Sequence, residues 1–499
     1  MQNKYYDEAR IALFPSAIFH QMGVNGKVSG SIFALEEIPN AVAVVHGAVG
    51  CGYHYRYSAR TRNSPNFRVT SSRLEEYDII FGGESKLLDT ILAVYEQEKP
   101  TLIAIVPTPV SDIIQDDLRQ VAKDAMERCG IPVILSKSEL FSHRDRNYAR
   151  KRLKKLAEQK MGDTKSLDMD ITGCGYSETL CALVEQVMQP QTVEALTVTV
   201  ESIGWGVRGN QLFDEMEGTL ALTGVRLVNY FPSATLQDIK TMPRVALNIV
   251  KRTHWAKTMR EKFGTPFLEI IGTRYSGLLG IGRFYQDIGN VLGISEEMAK
   301  VVAEKTQWAL AETHSERISI AKYKVYLITS SLSNLPYLLK RYQESYHLQV
   351  VGCMVHMTNQ AMSNSAIDDV LLATLLDKAR ESAKMYYPQL EVKINLSDTE
   401  LCQACQNADV IIGTTNHCYE ALGKPLVSTS DEEASLTFES YVRSVKDLAY
   451  RLTHAKCHGA MILNKMSFQK EYFPLLDEHS LIAGRKMWST MWLERGSNK

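Results

Sequence analysis

Asn40-Ala-Val-Ala-Val-Val-His46-Gly47-Ala-Val-Gly50-Cys51 is a run of small and β-branched apolar residues that stops at a histidine, two glycines and a thiol. Its unbroken apolar half predicts a strand buried on both faces, as in a parallel sheet covered by helices. The carboxyl end of such a strand is where open α/β sheets place ligands. His46, Gly47 and Gly50 are therefore expected to line a cofactor, with the glycines allowing close backbone approach. Cys51 is the expected metal ligand, because a thiol at a helix start is easier to ionise. Taken alone, a cysteine after a glycine is more often structural.

Outward from this stretch the pattern repeats. Asp78–Phe81, Leu102–Val106 and Pro132–Leu135 read as further buried strands, with Ser85–Glu98 and Asp116–Cys129 as amphipathic helices between them. A second series follows at Leu196–Ile203, Arg226–Tyr230, Val245–Val250 and Pro266–Ile270, and its first strand leads into a turn with Gly204, Gly206 and Gly209. A third starts at Lys322 and continues through Leu348–Val355, Val392–Asn395, Val410–Gly413 and Leu426–Ser428. The expectation is an α/β protein of three Rossmann-like domains, each a parallel sheet flanked by helices, over residues 1–190, 191–318 and 319–499. The one compositional break, His143–Asp170, is basic first and acidic last and reads as a solvated helix with a linker.

Composition narrows the function classes. At roughly 100–200 residues per domain, 499 residues agree with three domains. With 56 basic and 57 acidic side chains there is no basic excess of the kind that holds nucleic acid. No apolar stretch reaches the length of a membrane span, and the first residues lack the features of a secretory signal, so a cytoplasmic protein is expected. Nine cysteines then read as reduced thiols, most of them ordinary buried hydrophobes.

The usual nucleotide motifs fail. Gly23-Val-Asn-Gly-Lys27 has no Ser or Thr after the lysine, and Gly277-Leu-Leu-Gly280-Ile-Gly282 has the wrong glycine order, so both read as turns before helices. HExxH, GxSxG and EF-hand patterns are absent from the sequence.

Three ordered pieces carry a likeness: HGxxGC at His46–Cys51, Asp78-Ile-Ile-Phe-Gly-Gly-Glu-Ser-Lys86-Leu, and a strand followed by Ile113-Ile-Gln-Asp116-Asp117. Together they resemble the component 1 superfamily of nitrogenases, which includes the molybdenum-iron protein subunits, their cofactor-assembly scaffolds and protochlorophyllide reductase subunits. The likeness continues at Ser202-Ile-Gly204, Met259–Phe267, Ala408–Gly413 and Leu422–Pro425. It implies three Rossmann-like domains and pairing with a homologous component 1 subunit as a heterodimer or heterotetramer. It also implies an interface iron–sulfur cluster, [4Fe–4S] in type, fed by an ATP-dependent iron protein reductase. A second metallocluster or a tetrapyrrole held by the partner is part of the same implication.

The chain departs from that pattern. Of three interface cysteines usual in the superfamily, only Cys51 is matched; the others would fall near Asn25 or Gly26 and at Pro109. A [4Fe–4S] cluster takes four ligands, so Cys51 is too little alone. Three arrangements stay open: a partner gives three cysteines, Cys174 joins as a second-choice ligand, or the cluster is lost. The first is favoured. The cysteine that would grip a large metallocluster should fall near Asn248, and the matching histidine after Pro425, and neither is present. The expected function is a nitrogenase-like oxidoreductase subunit that reduces a small molecule other than dinitrogen. A non-catalytic scaffold for metallocluster assembly is the alternative.

The remaining features read blandly. Cys402-Gln-Ala-Cys405 sits on an expected helix, where two thiols three apart are ordinary packing. His417-Cys418 is a minor pocket candidate, Tyr53–Tyr57 reads as interface packing, and Asp116-Asp117 as a helix cap.

Overall fold

The computed structural model describes residues 27–53, 68–136, 174–202, 207–251, 253–270, 273–329, 335–355, 369–396, 398–413, 419, 422–427 and 436–456. The predicted turn at residues 23–26, the compositional break at 143–170, Gly204, Gly206 and His417-Cys418 lie outside them.

The first unit starts with helix α1 (Lys27–Glu36) and strand β1 (Ala41–His46), followed by a helical turn over residues 49–53. It continues with β2 (Val69–Ser71), α2 (Glu76–Phe81), α3 (Glu84–Glu98), β3 (Leu102–Pro107), α4 (Pro109–Ile114), α5 (Leu118–Cys129) and β4 (Val133–Leu135). The strands form one parallel sheet in the order β2-β1-β3-β4. Residues alternate between two cores: Ala41, Ala43 and Val45 pack in one, Val42 and Val44 in the other, against Leu87, Ile91, Val121 and Ala125 of α3 and α5. Both faces of β1 are thus covered, which is why its sequence is continuously apolar.

Helix α6 (Cys174–Gln186) packs on α1 and leads to the second unit. There β5 (Glu194–Glu201), α7 (Val207–Ala221), β6 (Arg226–Phe231), α8 (Leu236–Thr241), β7 (Val245–Val250), α9 (Thr253–Phe263) and β8 (Phe267–Glu269) give a parallel sheet β6-β5-β7-β8. The long helices α10 (Gly277–Leu292) and α11 (Ser295–Glu312), with α12 (His314–Ile320), lead to the third. Its elements are β9 (Lys324–Thr329), α13 (Leu335–Arg341), β10 (Gln349–Val355), α14 (Asp369–Tyr386), β11 (Val392–Ile394), α15 (Asp398–Ala404), β12 (Val410–Ile412), β13 (Leu426–Val427) and α16 (Phe438–Thr453). That sheet is parallel in the order β11-β10-β9-β12-β13. The expected three parallel sheets flanked by helices are what the chain forms.

Two local readings are corrected. Asp78–Phe81 is not a strand but the body of α2. Asp78 accepts the Glu75 amide at 2.8 Å and Lys86 Nζ at 2.7 Å, which closes the first helical turn. Its apolar residues face outward instead of into the sheet: Ile80 is 73% exposed. The strand place beside β1 is taken by Val69–Ser71. Gly277-Leu-Leu-Gly280-Ile-Gly282 is not a turn ahead of a helix but the first turns of α10. A Cβ on Gly280 would stand 2.2 Å from the Tyr275 carbonyl carbon, so glycine here permits close packing of the preceding turn.

Candidate functional site

Every parallel strand of the first sheet points its carboxyl end to the same edge. Strand order reverses between β1 and β3, and the crevice at such a reversal is the ordinary ligand position of an open α/β sheet. His46, the last residue of β1, sits there fully buried. Its Nε2 lies 2.7 Å from Asp116 Oδ2, and its Nδ1 lies 2.9 Å from Ser72 Oγ. Asp116 comes from the turn between α4 and α5, and Ser72 follows β2.

The hydrogen-bond roles fix the histidine tautomer. A carboxylate only accepts, so Nε2 carries the proton and donates it to Asp116. Nδ1 then accepts from the Ser72 hydroxyl, whose oxygen accepts the Gly47 amide at 3.2 Å. On the other side, Asp116 Oδ1 accepts the Gly83 amide at 3.0 Å. Burial holds the His46 pKa below its usual 6.5, against the opposing pull of the Asp116 carboxylate. The ring is therefore neutral at neutral pH, as the assigned tautomer requires.

Gly47 owes its identity to packing. A Cβ there would meet both γ atoms of Thr108 at 2.6 Å, and Thr108 Oγ1 donates to the His46 carbonyl at 2.7 Å. The Gly47 carbonyl accepts from the Leu74 amide and the Ser71 hydroxyl, each at 3.0 Å. Gly50 is different: a Cβ there would meet nothing within 4 Å among the described residues. Nothing described in this chain requires a glycine at that position.

Cys51 lies in the helical turn over residues 49–53, half-buried against the first core, with its amide on the Ala48 carbonyl at 3.0 Å. The next residue, Gly52, rests over Ser71 and Val69 of β2. Cys174 opens α6, a separate element that packs on α1 and α9. Pro109 occupies the first position of α4, where a missing amide costs nothing. Asn248 is a buried mid-strand residue of β7 whose amide donates to Met259 Sδ at 3.2 Å. Among the described residues, no group of three or more His, Cys, Asp or Glu side chains is placed to hold a metal ion.

The other described thiols behave as packing residues. Cys129 and Cys353 are buried and their pKa values raised by that burial, and that of Cys405 is pushed up to about 12. Cys51, Cys129, Cys353, Cys402 and Cys405 are free thiols.

Sequence reasoning missed Asp116. It reads as a cap, yet its neighbour Asp117 does the capping, accepting the Gln120 amide at 3.1 Å, while Asp116 turns inward. The missed signal was the pairing of a buried strand-end histidine with an acidic doublet after the next strand. The apolar outer face was missed as well. Val49, Tyr53, Tyr77, Ile80, Phe81 and Ile113 are 58–73% exposed, on the turn over 49–53, on α2 and on α4. Helices α2 and α4 pack on each other, so this apolar surface borders the same sheet edge as Cys51.

A family model described as nitrogenase component 1 type oxidoreductase matches residues 27–430. The nitrogenase iron-molybdenum cofactor biosynthesis protein NifE of Methanococcus maripaludis is 28% identical over 305 residues, 59% of this chain and 56% of that protein. The nitrogenase molybdenum-iron protein alpha chain of Clostridium pasteurianum is 26% identical over 57% of this chain and 49% of that one. Component CfbD of the Ni-sirohydrochlorin a,c-diamide reductive cyclase complex of Methanothermobacter thermautotrophicus is 33% identical over 21% of this chain and 27% of its own length. The chain thus spans little more than half of the first of these relatives. The solved structure of nitrogenase Cp1 at pH 6.5 superposes with a TM-score of 0.56 at 16% identity, covering 86% of this chain and 88% of that one, a likeness of fold.

Proposed function

Because the chain belongs to the nitrogenase component 1 type oxidoreductase family, we propose that it is one half of a nitrogenase-like reductase. Its units divide near residues 190 and 318. It pairs with a homologous subunit, shares a [4Fe–4S] cluster with that subunit through Cys51, and receives electrons from an ATP-dependent iron protein. The observation that carries this reading is the half-buried Cys51 thiol at the sheet edge, bordered by an exposed apolar face.

Among the described residues, the donor set fits a shared cluster and not a self-contained one. One thiolate on a glycine-flanked turn leaves three ligands to another chain, since such a cluster takes four. The space left open at Gly50 by the described residues suits close approach of a bulky group or of a partner backbone. When bound, the cluster supplies one-electron storage. The chain's own residues hold the Cys51 turn in place, keep His46 neutral and buried beneath it, and offer an apolar surface for docking. Arrival of an ATP-dependent reductase on α2 and α4 brings the electron donor to that edge. Similarity to CfbD supports a tetrapyrrole as substrate class, held mainly by the partner.

A second reading is favoured by the relatives named as cofactor biosynthesis proteins: a scaffold that passes its metal on. Anaerobic purification with the homologous subunit separates the outcomes. The first reading expects iron and acid-labile sulfide in the complex, most of it lost in Cys51→Ala, and retained on incubation with a metal-free acceptor protein. Full iron in Cys51→Ala sinks the shared-cluster reading, and transfer of the iron to the acceptor favours the scaffold.

A further inference from the structure

We propose that His46 and Asp116 are positioning residues, a buried hub through which the exposed apolar face sets the place of the Cys51 turn. The proposal deepens the reading of Cys51 as a cluster ligand, and its functional meaning rests on that reading.

The exposed pieces are a turn over residues 49–53 and the six-residue helices α2 and α4. Helices this short do not hold themselves together in water. Each is rooted in the same buried polar group. Gly47 precedes the Cys51 turn, Gly83 follows α2, Thr108 precedes α4, and Asp116 follows α4. One chain of hydrogen bonds joins them: the Gly47 amide donates to Ser72 Oγ, the Ser72 hydroxyl to His46 Nδ1 and His46 Nε2 to Asp116, while the Gly83 amide donates to Asp116 from the other side. Each bond has a fixed sense, because the carboxylate only accepts and the backbone amides only donate.

Packing reinforces the chain. A Cβ on Gly83 would lie 2.6 Å from Leu74 Cδ2, 2.9 Å from Asp116 Oδ2 and 3.0 Å from His46 Cε1. The turn after α2 therefore presses directly on the His46–Asp116 pair. Leu74, in the connection from β2 to α2, also donates its amide to the Gly47 carbonyl at 3.0 Å. Interiors packed this closely transmit displacement instead of absorbing it. A protein seated on α2 that shifts Gly83 by a few tenths of an ångström must move Asp116 and His46, and through Ser72 the segment ending at Cys51.

The test reads the Cys51 thiol in the metal-free, full-length chain, by iodoacetamide alkylation rates resolved per peptide by mass spectrometry. Cys402 on α15 is the internal reference. Gly83→Ala, made at the far end of the hub, and Asp116→Asn should each speed Cys51 alkylation about tenfold, equivalent to ~1.4 kcal/mol of local opening. Cys402 should keep its rate, and the double variant should be no faster than the faster single, because both act through one contact. Ser72→Ala, which removes one hydroxyl, should give the same acceleration, and Ser72→Thr should restore the original rate. The proposal is overturned if Gly83→Ala leaves Cys51 unchanged, if the two effects multiply, or if Cys402 accelerates in parallel. Since no metal takes part, failure of the complex to bind iron would strike the cluster reading and leave this result standing.

Discussion

Replacing Gly47 by alanine separates two reasons for a glycine at the end of β1: room for a cofactor, or room for Thr108. The added Cβ would stand 2.6 Å from both Thr108 γ atoms, and Thr108 is tied to the His46 carbonyl by a 2.7 Å hydrogen bond. Relief requires rotating Thr108 or parting β1 from β3. Overpacking of this kind costs about 1–3 kcal/mol, and the broken hydrogen bond adds about 1 kcal/mol. The expected destabilisation is about 2–4 kcal/mol. Thr108→Ala alone loses that bond and weakens the cap of α4, about 2 kcal/mol together. In the double variant the new methyl enters the space left by the threonine γ atoms, with Thr108 Cβ still 3.1 Å away. The double should therefore stay within about 1 kcal/mol of Thr108→Ala, when simple addition predicts about 4–6 kcal/mol.

Three packed units make a single global unfolding energy ill-defined, so the assay is native-state hydrogen exchange of the β1 and β3 amides. Gly47→Ala should speed their exchange roughly a hundredfold, and amides of β9 and β10 serve as the unaffected reference. Additive losses in the double variant would refute the packing explanation of Gly47.

Two further outcomes follow from the same geometry. Folded His46 has a pKa below 6.5, so its neutral form contributes stability that is full above pH 6.5 and is lost as pH falls through the folded value. In histidine-labelled protein, the resonance that disappears in His46→Gln should titrate below 6.5, and titration at or above 6.5 contradicts the burial argument. Ile80→Lys on the exposed face of α2 should leave hydrogen exchange of the β1 and β3 amides within about twofold of the parent while abolishing capture of the proposed ATP-dependent iron protein. A tenfold or greater acceleration of that exchange would show that Ile80 packs against the chain itself.

Legibility in the sequence followed burial. Strands covered on both faces announce themselves by unbroken apolar runs, and β1, β3, β7 and β9 are found within a residue or two of their expected ends. The same rule misled at Asp78–Phe81. By that rule apolar residues signal burial, and here they face outward on a helix closed by Asp78 and Lys86. Gly47 and Gly50 look alike in the motif, yet one is demanded by Thr108 and the other meets open space. That difference depends on Thr108, about sixty residues away just after β3, and no local pattern contains it. Asp116 was hidden for a like reason: its partner His46 is distant in sequence, and the adjacent Asp117 supplies the cap that an acidic doublet suggests.

Cys51 is proposed to tie this chain to an electron-carrying cluster shared with a partner. The most direct test is the electron paramagnetic resonance spectrum of the anaerobically co-purified complex, recorded with the iron protein in the presence and absence of ATP. A reduced-cluster signal should appear only with ATP and be missing in Cys51→Ala. An equal signal in Cys51→Ala, or a complex free of iron, would contradict it.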